Sequence, residues 1–103
     1  MKKDFFKKYH KYKNKIYYKI NDLVIIEPRN SFYDTTKITK EPYVIKFNLL
    51  IKNFDNNGQI EEIKSLSLYE SFMVEDYLKE EIPKIVDELI KNENNWVYPI
   101  KYY

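Results

Sequence analysis

The chain has 103 residues, 18 basic and 16 acidic side chains for a formal net charge of +2, and no cysteine. That length suits one domain, residues 1–103, around one core, and the missing thiols exclude disulfide frameworks, thiolate metal sites and cysteine nucleophiles. The basic start MKKDFFKKYHKYKNK lacks an apolar run of signal-peptide length, and no segment approaches the ~18 consecutive apolar residues of a membrane span, which predicts a cytoplasmic protein with no membrane partner.

Residues 3–13 place Phe5, Phe6, Tyr9 and Tyr12 at helical spacing, with Lys7, Lys8 and Lys11 between them, and predict a short amphipathic N-terminal helix. Residues 15–20 and 23–27 are β-branched and aromatic runs. Asn21 and Asp22 between them tolerate positive φ, so the pair predicts a two-residue hairpin turn. Residues 28–42, bounded by Pro28 and Pro42 and rich in turn formers, read as a long loop with Phe32 and Tyr33 as exposed contacts.

Residues 43–54 alternate clearly, with Tyr43, Ile45, Phe47, Leu49 and Ile51 on one side and Lys46, Asn48 and Lys52 on the other. They predict a strand. Asp55-Asn56-Asn57-Gly58 supplies turn chemistry, and residues 59–69 return as a second long strand, in which the differing parity of Ile60 and Ile63 predicts a bulge. Residues 70–92 carry Val74, Tyr77, Leu78, Ile82, Ile85, Val86 and Leu89 on one helical stripe, with Pro83 predicting a kink or a restart. After Asn94 and Asn95, residues 96–102 read as a last strand that Pro99 confines to a sheet edge. The fold class expected from this order, α-β-β-β-β-α-β, is α+β: an antiparallel sheet of about five strands with an N-terminal helix and a longer C-terminal helix on one face.

Catalytic and metal motifs are weak. Residues 53–64 resemble an EF-hand calcium loop at the third, fifth, sixth and eighth positions, but the first position is Asn53 and the twelfth, which must supply a bidentate glutamate, is Lys64. A hairpin turn is the simpler reading. His10 is the only histidine and has no identifiable partner, the serines lack a glycine-flanked elbow, and with one glycine there is no phosphate-cradling loop. These absences predict a protein that is not an enzyme and needs no cofactor or metal. On the long helix, Glu75 with Lys79, Glu80 with Lys84 and Asp87 with Lys91 are acid-then-base pairs at i, i+4, as on a solvated face.

Charge is polarised along the chain, since residues 1–20 carry eight lysines against Asp4 while residues 60–93 carry ten acids against four lysines. Eleven tyrosines exceed what a small core holds with every hydroxyl satisfied, so several must face outward. Lys, Asn, Ile, Tyr and Phe supply 57 of the 103 residues and alanine is absent, a bias that tracks A/T-rich codons such as those of many phages and mobile elements. The leading expectation is a small binding protein, phage- or mobile-element-encoded, that inhibits or modulates a host protein or nucleoprotein machine in the manner of an anti-CRISPR or other anti-defence inhibitor. It would act through Phe32, Tyr33 and the helix acids Glu75, Asp76, Glu80 and Asp87. The alternative is a nucleic-acid-binding protein using Lys7, Lys8, Lys11, Tyr12, Lys13, Lys15 and Tyr17, where lysines neutralise phosphates and rings stack on bases. A third reading is an assembly subunit that oligomerises through the edge strand expected at residues 96–102.

Overall fold

A computed structural model of the chain describes residues 6–27, 42–69 and 74–99. Four strands, β1 (His10–Lys13), β2 (Ile16–Ile26), β3 (Tyr43–Asn53) and β4 (Gly58–Leu68), form one antiparallel sheet in the order β1-β2-β3-β4, followed by one helix, α1 (Val74–Ile90). The class is α+β, as expected, and the described residues hold four strands and one α-helix in place of five and two.

The sheet is two-faced because its strands alternate. Ile20 of β2, Ile45, Phe47, Leu49 and Ile51 of β3 and Ile60 of β4 are buried on one face, and they join Val74, Leu78, Ile82, Val86 and Leu89 of α1 in a single cluster with Phe6. The helix stripe is the one its 3.6-residue period predicts. The opposite face of the sheet carries no helix among the described residues.

Several elements differ from those expected. In place of the N-terminal helix, residues 10–13 are β1, because Asn14 adopts φ 46° and turns the chain back so that His10 pairs with Tyr18 and Lys11 with Tyr17. Aromatic side chains suit a pleated surface at least as well as a helix, so the sheet partner decides. Residues 1–5 lie outside the described residues. The expected hairpin turn at Asn21 and Asp22 is instead a bulge within the single strand β2: Asn21 pairs with Asn48 and Val24 with Lys46, so three steps on one strand span two on the other. Asp22 sits there at φ 55°, and the extra residue switches the inward parity from Ile20 to Leu23 and Ile25. Of the last strand expected at residues 96–102, residues 96–99 hold one bridge, between Val97 and Gln59, and residues 100–102 lie outside the described residues.

The β3–β4 hairpin is regular throughout, from Tyr43 opposite Leu68 to Asn53 opposite Gly58. No bulge separates Ile60 from Ile63. Ile60 points into the core and Ile63 away from it, 79% exposed. The turn is held by side-chain carbonyls, Asn53 accepting from the Asp55 N–H at 2.9 Å and Asn56 from the Gly58 N–H at 2.8 Å, with Asn57 at φ 61°. Gly58 also admits the C-terminal segment, since a Cβ there would lie 2.9 Å from Tyr98 and 3.0 Å from Trp96. That segment closes α1: Asn95 Nδ2 donates to the Leu89 carbonyl at 2.9 Å and Trp96 Nε1 to that of Ile90 at 3.4 Å, serving carbonyls that a helix end leaves without partners.

Pro83 lies inside α1, which runs through it without restarting. Proline there removes one i to i−4 hydrogen bond and crowds the preceding turn. Pro83→Ala is therefore expected to stabilise the protein, by up to about 3 kcal/mol if the whole interior penalty is recovered, as read from urea denaturation.

Candidate functional site

The open face of the sheet follows from the same alternation that builds the core. Where β2 sends Ile16, Tyr18 and Ile20 inward, Tyr17 and Lys19 face out, and where β3 buries Leu49 and Ile51, Leu50 and Lys52 face out. Register then aligns them, with Lys11, Tyr17 and Lys52 in one row across β1, β2 and β3, and Lys19 opposite Leu50 in the next. Just past β3, the Phe54 N–H donates to the Lys15 carbonyl at 2.9 Å, which extends the ladder and holds the Phe54 ring beside β2.

Three rings meet at this end of the face. Phe54 takes Tyr17 edge-on at 5.2 Å between centroids and Tyr9 edge-on at 5.6 Å, with interplanar angles of 86° and 81°. Two ammonium groups cap the cluster: Lys19 Nζ lies 4.7 Å from the Tyr9 centroid and Lys52 Nζ 5.0 Å from that of Phe54, both within cation–π range. Tyr9, Lys15, Tyr17 and Phe54 line one shallow depression. The rings stay in contact with solvent, Tyr9 40% exposed and Phe54 46%, and Lys11 and Lys15 are exposed beside them. Farther along, the face carries Val24, Ile26, Lys46 and Ile63, and the acid Glu61, which accepts from Asn48 Nδ2 at 2.7 Å.

The other basic and aromatic candidates near the N-terminus divide between the two faces. Lys11, Lys15 and Tyr17 belong to the open face. Tyr12 and Lys13 turn toward α1, where the Tyr12 hydroxyl donates to Asp87 Oδ1 at 2.5 Å and Lys91 Nζ lies 2.9 Å from Asp87 Oδ2. Lys7 sits with Phe6 near the β2 bulge, and Lys8 is exposed. The Tyr12 hydrogen bond, with Lys91 and Lys13 near, holds the Asp87 carboxyl below the usual carboxylate range, and the same carboxylate raises the Tyr12 phenol. Burial raises Tyr18 as well.

This buttress between β1 and α1 predicts a pH signature. The Asp87 pKa is lower folded than unfolded, so its contribution is present above the unfolded value and is lost as pH falls through the folded one. The Tyr12 pKa is higher folded than unfolded, so its contribution is present below about pH 10 and is lost as pH rises through the folded value. Tyr12→Phe is expected to lower the thermal midpoint at neutral pH and to shrink the decline at both ends of the stability–pH curve, incompletely at acid pH because Lys91 still holds Asp87. Thermal unfolding followed across pH checks this.

The acids of α1 are partly neutralised by their own helix. Glu75 pairs with Lys79 at 3.8 Å and Asp87 with Lys91, as their spacing predicts, while Lys84 takes Glu81 at 3.4 Å instead of Glu80. Asp76 and Glu80 remain exposed. Phe32 and Tyr33 lie outside the described residues. Residues 53–64 form the hairpin turn and β4, with strands where an EF-hand needs helices, and no cluster of three or more His, Asp or Glu side chains placed to hold a metal occurs among the described residues. Among those residues, no helix is long and apolar enough to cross a membrane.

Comparison with protein families, curated proteins and solved structures finds no match for this chain. Of the site's contributors, Lys19 and Phe54 are not singled out by the sequence pattern, Tyr9 is read there as part of a helical stripe, and Lys52 as one outward residue of a strand. Lys52 and Phe54 did carry a signal, since both continue the outward parity of Lys46 and Asn48 along β3.

Proposed function

We propose that this chain is a non-enzymatic nucleic-acid-binding protein that holds a single strand across the open face of its sheet. The observation that carries this reading is the Tyr9, Tyr17 and Phe54 cluster on the face opposite the helix, with Lys11, Lys15, Lys19 and Lys52 around it. Apolar rings left in water at a sheet surface cost free energy unless something covers them. Bases offer flat faces for such rings and phosphates offer charge to the ammonium groups, a combination that suits single strands, whose bases are unstacked, better than duplexes. The edge-on packing of the rings and the two capping lysines pre-order the surface, which lowers the entropy lost on binding.

A second reading, in which the chain inhibits or modulates a host protein or nucleoprotein machine through acidic α1, is supported by the exposed Asp76 and Glu80. It is the weaker of the two, because Glu75 and Asp87 are engaged by Lys79 and Lys91 and so present less phosphate-like charge. Fluorescence anisotropy of labelled single-stranded oligonucleotides separates the readings. Micromolar binding at low salt, weaker for the matching duplex, supports the first; no binding to either contradicts it.

A further inference from the structure

The strand order leaves β4 at one edge of the sheet. Among the described residues its outer side is paired only at Gln59, whose N–H and C=O exchange hydrogen bonds of 2.8 Å with Val97. That bridge shows which backbone groups point outward, since alternate residues of a strand direct their N–H and C=O to opposite sides. Glu61, Ile63 and Ser65 therefore present theirs to the free edge. Val97 runs antiparallel to β4, so the segment that follows it passes toward Gly58, and among the described residues no strand pairs with Glu61 to Ser65 on this edge.

The side chains restrict what this edge accepts. On the core side of β4, between Ile60 and Leu66, stand Glu62 and Lys64, half-buried and 3.1 Å apart. Charges at such positions oppose pairing with an arbitrary strand, because each would face an apolar or like-charged neighbour while losing water. One register escapes this. We propose that β4 pairs antiparallel with β4 of a second copy of this chain about a two-fold axis through Ile63. Glu62 of each copy then faces Lys64 of the other, and Ile60 faces Leu66. Ile63, the most exposed of the large hydrophobic side chains described, meets its own counterpart on the open face. The backbone groups agree, since Ile63 would exchange both hydrogen bonds with its counterpart and Glu61 would do so with Ser65. Gln59 is already engaged by Val97, so the new ladder ends at Ser65 and the dimer is a weak one.

Sedimentation velocity over micromolar to submillimolar concentrations tests the proposal. The wild-type chain is expected to show a concentration-dependent monomer–dimer equilibrium. Glu62→Lys and Lys64→Glu each place like charges across the two-fold axis and should weaken the dimer roughly a hundredfold. An equimolar mixture of these two variants should recover association, because one then carries two lysines on this face and the other two glutamates. If either single variant fails to give a native thermal transition, the double exchange Glu62→Lys with Lys64→Glu, which restores opposite charges, carries the test and should dimerise. A wild-type chain that stays monomeric, an assembly other than a dimer, single variants that dimerise like wild type, or a mixture or double exchange that does not associate would each overturn the proposal.

Discussion

Phe47→Ala is expected to cost about 3 to 5 kcal/mol of folding stability, a large part of the ~5 to 15 kcal/mol that holds a domain of this size together. Phe47 is 1% exposed at the centre of β3, between Ile45 and Leu49, in the cluster that joins the sheet to α1. Truncation removes its transfer free energy and leaves a cavity that the rigid β-ladders on both sides cannot close. The thermal midpoint should fall by roughly 12 °C or more. Ile63→Thr provides the contrast on the other side of the same sheet. It keeps a β-branched side chain at a position that is mostly in water, so its effect on the monomer should stay within about 0.5 kcal/mol. Equal losses for the two variants would mean that the core does not lie between the sheet and α1.

Single-strand binding is expected to depend steeply on salt. If Lys11, Lys15, Lys19 and Lys52 each neutralise one phosphate, the slope of log affinity against log salt is about −2.8, at ~0.7 per contact. Raising salt from about 50 to about 200 mM then weakens binding roughly fiftyfold. Replacing Lys19 and Lys52 with alanine should lower the slope by about half, while Tyr17→Ala or Phe54→Ala should cost about 1 to 3 kcal/mol and leave the slope nearly unchanged. The contrast between lysine and ring variants separates the two contributions. Lys13→Ala should do neither, because Lys13 faces α1. Anisotropy titrations at several salt concentrations supply all of these values.

The parts of the fold legible in the sequence are those that local pattern alone decides. The strict alternation from Tyr43 to Ile51, the turn at Asp55 to Gly58 and the α1 stripe from Val74 to Leu89 each specify one structure, and each is found. Where two patterns coexist, a distant partner chose between them. Tyr9 and Tyr12 fit one helical face, yet His10 and Tyr12 also fit one strand face, and pairing with Tyr17 and Tyr18 together with the Tyr12–Asp87 hydrogen bond settles the matter from 75 residues away. The parity change between Ile20 and Leu23 is real, but a bulge and a turn produce the same change, and only the continuity of β3 across both halves of β2 distinguishes them.

The site divides in the same way. Tyr17 and the basic N-terminal region were visible as chemistry, because lysine and tyrosine density is a local property. Their partners were not, because Phe54 joins Tyr17 through a ladder contact with Lys15, and Lys52 reaches the same row through strand register. Tyr12 shows the converse. Its residue type and lysine neighbours match those of Tyr17, but it alternates with Lys11, which pairs with outward-facing Tyr17, so it points to the helix side, where it braces the fold.

The most direct test of a nucleic-acid surface on the open face is residue-by-residue mapping of backbone amide shifts by NMR during titration with a short single-stranded oligonucleotide. The account predicts that shifts concentrate at Lys11, Lys15, Tyr17, Lys19, Lys52 and Phe54, with α1 from Val74 to Ile90 nearly silent. Shifts confined to α1, or none at saturating oligonucleotide, would contradict it.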